Sequence, residues 1–195
     1  IDVKWFDPSY ISSAGGVPQN IAEAKGAAGD WVGILFAAYS LFAAFFSVVL
    51  AKLANTFGRK AVYSFSLLAG GLGYLSFMFI QNSEPTLVNL LITEITVPQG
   101  AVTLFLPMIG VGIAWAAILA LPYTILAGAL PANKTGVYMG IFNFTIAAPQ
   151  IISGIFAGWI LNSIFENHAI NIIMLAGVSM VLGAISVYFV KEKSK

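Results

Sequence analysis

The sequence predicts an all-α membrane protein with five transmembrane helices, and two observations support this fold class. The chain is 59% hydrophobic and only 9% charged, whereas a soluble domain typically carries about 25% charged residues. Its apolar residues also gather into segments that reach the roughly 20 residues a helix needs to cross a bilayer. A chain with so few charged side chains is expected to meet lipid over most of its outer surface.

Five segments reach that length, and they follow one another along the chain. The predicted helices cover residues 31–53, 62–80, 102–130, 137–165 and 169–190. A shorter apolar stretch at residues 87–97 contains Glu94 and ends at Pro98, so we interpret it as an interfacial or re-entrant piece. Residues 1–30 are predicted to form an extracytoplasmic loop, residues 31–190 the five-helix bundle, and residues 191–195 a cytoplasmic tail.

Charge segregation predicts how these helices are oriented. Cytoplasmic loops of membrane proteins collect Lys and Arg. On one side of the predicted bundle lie Lys52, Arg59, Lys60, Lys134, Lys191, Lys193 and Lys195, and every acidic residue except Glu192 lies on the other. We therefore predict a multi-pass protein of the cell membrane with a cytoplasmic C-terminus and with Trp31 and Trp159 towards the outer interface. An odd number of spans that starts outside is expected to follow a further helix.

The composition also argues against several functional classes. None of the predicted spans carries Asp, Glu, Lys, Arg or His near its middle. Catalytic sites are built from such groups, so we do not expect an enzyme. Without Cys and with His168 as the only His, the chain is predicted to hold no metal and no cofactor. The net charge of +1 gives no reason to expect a nucleic-acid partner.

Uncharged polar and aromatic residues inside the spans are therefore the candidates for substrate binding. Asn143 and Gln150 are seven residues apart and share a helical face. Trp115 and Tyr123 are eight residues apart on the preceding helix. Because the two helices run in opposite directions, Trp115 should lie level with Gln150. By the same reasoning Tyr123 should lie level with Asn143, and Tyr39 on the first helix is a further candidate.

Two roles are open for these residues. Amides that bond hydroxyl groups, beside aromatic rings that stack on a sugar face, are typical of a site for a neutral polyol. In the structural alternative, the amides bond neighbouring helices and the rings pack in the core. Pro107, Pro122 and Pro149 are predicted to bend their helices, as transporter helices often do, although bends are common in membrane helices generally.

Three stretches carry a resemblance to a known family. Residues 51–60, AKLANTFGRK, resemble the loop signature G-x-L-x-D-R-x-G-R-K of the major facilitator superfamily in its second copy, with Asn55 where the family favours Asp. Residues 110–123, GVGIAWAAILALPY, resemble the tenth span of the sucrose- and maltose-transporter-like branch. Residues 136–150, which begin GVYMGIFNF and end PQ, resemble its eleventh. The five helices would then be spans 8–12 of a twelve-span fold, with residues 87–99 as an insertion.

The resemblance implies transport of a disaccharide such as maltose or sucrose by alternating access, commonly coupled to a cation, with this chain as the C-terminal half. The sugar site would use Trp115, Asn143 and Gln150, with Tyr123 towards the cytoplasmic gate. The gating loop would comprise Asn55, Gly58, Arg59 and Lys60. The expected partners are the lipid bilayer, the sugar and the N-terminal half of the same transporter. The alternatives are a non-transporting five-span scaffold subunit and, last, an intramembrane enzyme.

Overall fold

A computed structural model describes residues 21–80, 82, 85–89, 94–131 and 134–190. The helices are α1 (Ile21–Phe57), α2 (Arg59–Ser76), α3 (Gln99–Thr103), α4 (Phe105–Ala129), α5 (Thr135–Ser163) and α6 (Ala169–Tyr188), and the strands are β1 (Pro85–Asn89) and β2 (Glu94–Pro98). A 3-10 turn at Phe77–Phe79 continues α2. Within the described part of the chain, five helical spans are long and apolar enough to cross a membrane, with α3 and α4 forming one of them. The predicted fold class is confirmed.

The first helix begins earlier than predicted. Residues 21–30, assigned to an extracytoplasmic loop, are helical and continuous with α1. The sequence of this extension, IAEAKGAAGD, is rich in Ala and contains Glu and Lys, which are strong helix formers. Hydropathy alone does not find it because these residues are not apolar enough to cross a bilayer. Residues 1–20 and 191–195, which hold the rest of the predicted loop and the tail, lie outside the described residues.

A glycine makes the sharp turn between α1 and α2. Gly58 has φ of 87°, in the left-handed region that only glycine adopts without strain. Its N–H donates to the carbonyl of Ala54 (3.1 Å), and its own carbonyl accepts from Val62 (3.2 Å). The chain therefore reverses within one residue, and α2 starts directly at Arg59.

The stretch after α2 forms an antiparallel β-hairpin. The sequence analysis did not predict strands here, because it used only the short length and apolar composition of this stretch. Its register pairs Pro85 with Pro98 and Asn89 with Glu94. β-Branched residues favour strands, and TLV and EITV are rich in them. At the base of the hairpin, the N–H of Gly100 donates to the carbonyl of Asn82 (2.8 Å). The residues interpreted as an interfacial or re-entrant piece thus connect α2 to α3 as a small sheet.

Trp31 joins the hairpin to the helical bundle. Its side chain is only 3% exposed, and its indole N–H donates to the carbonyl of Ala101 (3.0 Å). The ring meets Phe105 edge-on, with centroids 5.7 Å apart, and it shares an apolar cluster with Val97 of β2. Trp31 therefore packs inside the protein, whereas Trp159 is exposed. That both tryptophans lie towards the outer interface stays a prediction.

The centre of the bundle is α2, which packs against α4 on one side and α6 on another, while α1 packs against α4. The approach of α2 to α4 is close because a Cβ on Gly110 would lie 2.5 Å from the carbonyl oxygen of Ala69. Small residues allow such contacts between membrane helices. On the α6 side, the hydroxyl of Ser64 donates to the carbonyl of Ala184 (2.7 Å). These four helices form one continuous body.

Helix α5 differs from these four helices, because none of its residues is buried within the described chain. A Cβ built on any of its four glycines would meet no atom within 4 Å. Those glycines are Gly136, Gly140, Gly154 and Gly158. The contact that holds α5 to the bundle is made with α4, through Tyr123.

The buried hydrogen bond of the Trp31 indole predicts that Trp31 contributes more to the stability of the protein than Trp159 does. Trp31→Phe removes the donor to Ala101 and should destabilise the protein by at least about 1 kcal/mol, seen as a lower thermal unfolding midpoint in detergent. Trp159→Phe is the matched control, and its exposed side chain should leave the midpoint unchanged. Equal midpoints for the two variants would contradict this account of the hairpin anchor.

The close contact at Gly110 and the open surface at Gly154 predict different effects of an alanine at these two positions on stability. Gly110→Ala should cost about 1–3 kcal/mol, because the added methyl collides with backbone of α2. Gly154→Ala, in the open part of α5, should be neutral or stabilising by up to about 1 kcal/mol, since Ala favours helix. Thermal unfolding of both variants measures this, and a Gly110→Ala variant as stable as the unmodified chain would show that α2 and α4 are further apart.

Candidate functional site

The contact between α4 and α5 brings two of the predicted site residues together. The hydroxyl of Tyr123 donates to Oδ1 of Asn143 at 2.8 Å. The Tyr123 ring also meets Phe142 edge-on, with centroids 5.1 Å apart. Asn143 is exposed, and its amide nitrogen has no partner among the described residues. The pair therefore presents two N–H donors beside an aromatic ring.

A second pair of predicted residues lies further along α4. The rings of Tyr39 and Trp115 pack edge-to-face, with centroids 6.1 Å apart and an interplanar angle of 79°. Tyr39 is half-buried on α1, and Trp115 on α4 is 44% exposed. The eight residues from Trp115 to Tyr123 correspond to about 12 Å along the helix. The aromatic pair thus stands two turns from the Tyr123–Asn143 pair.

Gln150 completes the predicted set and is exposed on α5. It lies seven residues beyond Asn143, or about 10 Å along the axis. Residue spacing in antiparallel helices predicts that Gln150 lies at about the level of Trp115. No described contact joins the two residues, so this arrangement stays a prediction.

Asn143 and Gln150 belong to a stripe of mostly small residues on α5 that the sequence reasoning missed. At about 100° per residue, seven Gly, Ala and amide residues of α5 fall within about 40° of one line along the helix. They are Gly136, Gly140, Asn143, Ala147, Gln150, Gly154 and Gly158. The spacing of these residues in the sequence is the signal that could have revealed the stripe. Because Tyr123 bonds Asn143, the stripe borders the side of α5 next to α4.

The three prolines occupy different environments. Pro107 is buried and follows the turn at Leu104 that separates α3 from α4. Pro122 and Pro149 lie inside α4 and α5, which continue as α-helix through them. Each proline lacks the N–H that would bond the carbonyl four residues earlier. That Pro107, Pro122 and Pro149 bend their helices stays a prediction.

The predicted gating loop ties together the helix ends on one side of the bundle. Nη1 of Arg59 donates to the carbonyl of Thr124 (3.0 Å) in the last turns of α4. Nζ of Lys60 donates to the carbonyls of Tyr188 (3.1 Å) and Val190 at the end of α6. Cations are stabilised at helix C-termini because the carbonyl dipoles point there.

The same bonds place the C-terminal ends of α1, α4 and α6 at one end of the bundle. This is the arrangement expected when five spans cross the membrane in alternating directions, because these helices are the first, third and fifth. This basic end also carries the exposed residues Lys52, Asn55 and Lys134. Asp30 and Glu166 belong to the start of α1 and the α5–α6 turn, at the opposite end. The described structure thus keeps the charge segregation that was read from the sequence.

Metal chemistry has no support from the described residues, among which no group of three or more His, Asp or Glu could hold an ion. What the site offers is uncharged hydrogen bonding beside aromatic rings. Amides can donate and accept hydrogen bonds, and aromatic rings can stack on apolar faces.

Comparison with known proteins identifies the family. A sequence profile of the Major Facilitator Superfamily matches residues 9–195, almost the whole chain. No curated protein and no solved structure matches it. The profile match agrees with the five apolar spans and with the sharp turn at Gly58, where the sequence resembles the family's loop signature. The chain therefore belongs to the Major Facilitator Superfamily, a family of membrane transporters.

Proposed function

We propose that this chain is the C-terminal half of a transporter that moves a disaccharide such as maltose or sucrose by alternating access, coupled to a cation. The observation that carries the proposal is the hydrogen bond between Tyr123 and Asn143. It sets the amide-bearing stripe of α5 beside the aromatic residues of α4. Sugars need this combination, because they carry hydroxyl groups at the ring edge and apolar C–H groups on the ring face.

The spacing of the amides suits an extended ligand. Asn143 and Gln150 are separated by about 10 Å along α5, so each can bond a different ring of one disaccharide. Ala147 lies between them on the same face and leaves room for the sugar. An amide both donates and accepts, which matches a hydroxyl group in either role.

The aromatic pair supplies the second element of a sugar site. The edge-on contact with Tyr39 orients the Trp115 ring, and 44% of that side chain stays exposed for stacking. Aromatic rings hold apolar faces while leaving polar edges to hydrogen-bonding groups. In this proposal Trp115 and Gln150 contact the sugar near the membrane midplane, and Tyr123 lies towards the cytoplasmic gate.

The open surface of α5 supports the assignment to one half of a larger transporter. Each six-span half of this family consists of two inverted three-helix repeats. If α4, α5 and α6 are one repeat, then a preceding helix, α1 and α2 are the other. The repeat symmetry equates that helix with α4, which packs on α1 and α2. The preceding helix should therefore pack on α5 and α6.

Alternating access in this proposal uses the basic end of the bundle as the cytoplasmic side. Arg59 and Lys60 bind the ends of α4 and α6 there, so the loop after α1 can couple movements of the two helices. The described spans carry no charged residue near their middle, and we place the group that couples the cation in the N-terminal half. A cytoplasmic C-terminus follows from the positive-inside rule.

The sugar site is tested by uptake of labelled maltose and sucrose into cells that express the full-length transporter. Gln150→Ala and Trp115→Ala should each lower apparent affinity by about fivefold or more, since each removes a substrate contact of at least about 1 kcal/mol. Ile152→Ala is the matched control, because this exposed residue lies on the opposite face of α5.

Expression and membrane insertion of each variant are measured alongside uptake. Unchanged uptake in both site variants would remove these residues from the sugar site. A wild-type protein that takes up neither sugar would contradict the proposed substrate and favour another solute or a non-transporting scaffold.

The half-transporter assignment makes a separate prediction. Vesicles that contain only residues 1–195 should accumulate no sugar, because the cavity lacks its opposite wall, whereas vesicles with the full-length protein should accumulate it. Accumulation by the shorter chain alone would show that the five spans are a complete transporter.

A further inference from the structure

Helices α1 and α4 approach each other closely at Gly112, three residues before Trp115. A Cβ built on Gly112 would lie 2.6 Å from Cβ of Phe42 and 2.8 Å from the carbonyl oxygen of Tyr39. The carbonyl belongs to a helix backbone, which cannot move aside without moving the helix. The missing side chain of Gly112 therefore sets the distance between α1 and α4 at this level.

Tyr39 contacts α4 in two ways. Its backbone carbonyl faces Gly112, and its ring meets the Trp115 ring edge-on, with centroids 6.1 Å apart. Gly112 and Trp115 are separated by about 4.5 Å along α4 and by about 60° around it, so both lie on the side of α4 next to α1. A single residue of α1 thus links the helix spacing to the position of the Trp115 ring.

The Trp115 ring is held by packing and not by a hydrogen bond. Its side chain is 44% exposed, and its indole N–H has no hydrogen-bond partner among the described residues. The Tyr39 ring against which it packs is supported on its other side by Phe36, with centroids 5.5 Å apart. A displacement of Tyr39 should therefore reorient Trp115.

Gly110, two residues before Gly112, faces a different helix. A Cβ on Gly110 would lie 2.5 Å from the carbonyl oxygen of Ala69 in α2. The two glycines point about 160° apart around α4. Gly110 therefore sets the distance between α2 and α4, and its close contacts include no residue of the proposed sugar site.

We propose that Gly112 is a positioning residue of the sugar site, because it sets the distance at which Tyr39 orients Trp115. A methyl group at position 112 would push the Tyr39 carbonyl oxygen from 2.8 Å towards 3.4 Å, where ordinary contact begins. Tyr39 would carry its ring away from Trp115. The effect on sugar binding rests on the proposed function, whereas the link between Gly112 and Trp115 does not.

This link is tested by fluorine NMR of the protein labelled with fluorotryptophan in detergent. The Trp115 resonance is the one that Trp115→Phe removes. Gly112→Ala should shift that resonance, because the neighbouring Tyr39 ring moves. Gly110→Ala is the matched control, since it makes the same chemical change against α2. It should lower the thermal unfolding midpoint but leave the Trp115 resonance within its linewidth.

A double-mutant cycle separates an effect through Tyr39 from direct contact of the new methyl group with Trp115. In a Tyr39→Leu background, Gly112→Ala should produce little further shift of the Trp115 resonance. Tyr39→Leu by itself keeps the backbone contact at Gly112 and removes the ring. It should shift the Trp115 resonance, and it tests the ring contact even if Gly112→Ala fails to fold.

The effect on sugar is measured by uptake into cells that express the full-length transporter. Gly112→Ala should lower apparent affinity by up to about fivefold, the loss expected for Trp115→Ala, with the maximal rate unchanged. Added to Trp115→Ala, it should cause no further loss, because the ring that it positions is gone.

Three results would overturn the proposal. The first is a Trp115 resonance that stays in place in Gly112→Ala or in Tyr39→Leu. The second is a shift by Gly112→Ala that persists in full without the Tyr39 ring. The third is a shifted resonance with unchanged sugar affinity. If Trp115→Ala also leaves affinity unchanged, the fault lies with the proposed sugar site; if only Gly112→Ala does, it lies with the positioning role.

Discussion

The close packing of α2 against α4 and α6 is the constraint on which the rest of this fold depends. It rests on direct backbone approach at Gly110 and on side chains such as Ser64 that bond across the helix pair. Within a bilayer, apolar area gives helices no reason to prefer one another over lipid, so contact distance decides which of them associate. α1 joins this core through α4, and Tyr123 of α4 bonds Asn143 of α5.

The two ends of the bundle are held by different chemistry. At the acidic end, the indole of Trp31 reaches across to Ala101 and buries the base of the hairpin. At the basic end, Arg59 and Lys60 bind carbonyls in the last turns of α4 and at the end of α6. In the proposed transporter, α5 could therefore shift as one wall of the substrate site while the helices behind it keep their positions.

The sequence predicted the features that depend on bilayer thickness and helix periodicity. The five spans follow from segment length, and the level pairing of Tyr123 with Asn143 follows from residue spacing in antiparallel helices. It missed features that depend on contacts between distant residues. The burial of Trp31 requires Ala101, seventy residues away. The hairpin lies in a short apolar run that is compatible with a strand, a short helix or a loop.

The proposed function depends on the sugar binding between the small-residue stripe of α5 and the aromatic residues of α4. The chain contains no cysteine, so single cysteines report on it cleanly in a full-length transporter whose other cysteines are removed. A water-soluble maleimide should label Ala147→Cys on the stripe, and maltose or sucrose should slow that labelling, whereas Ile152→Cys on the opposite face should not respond to sugar. Labelling at position 147 that no sugar slows, or equal behaviour at the two positions, would contradict the account.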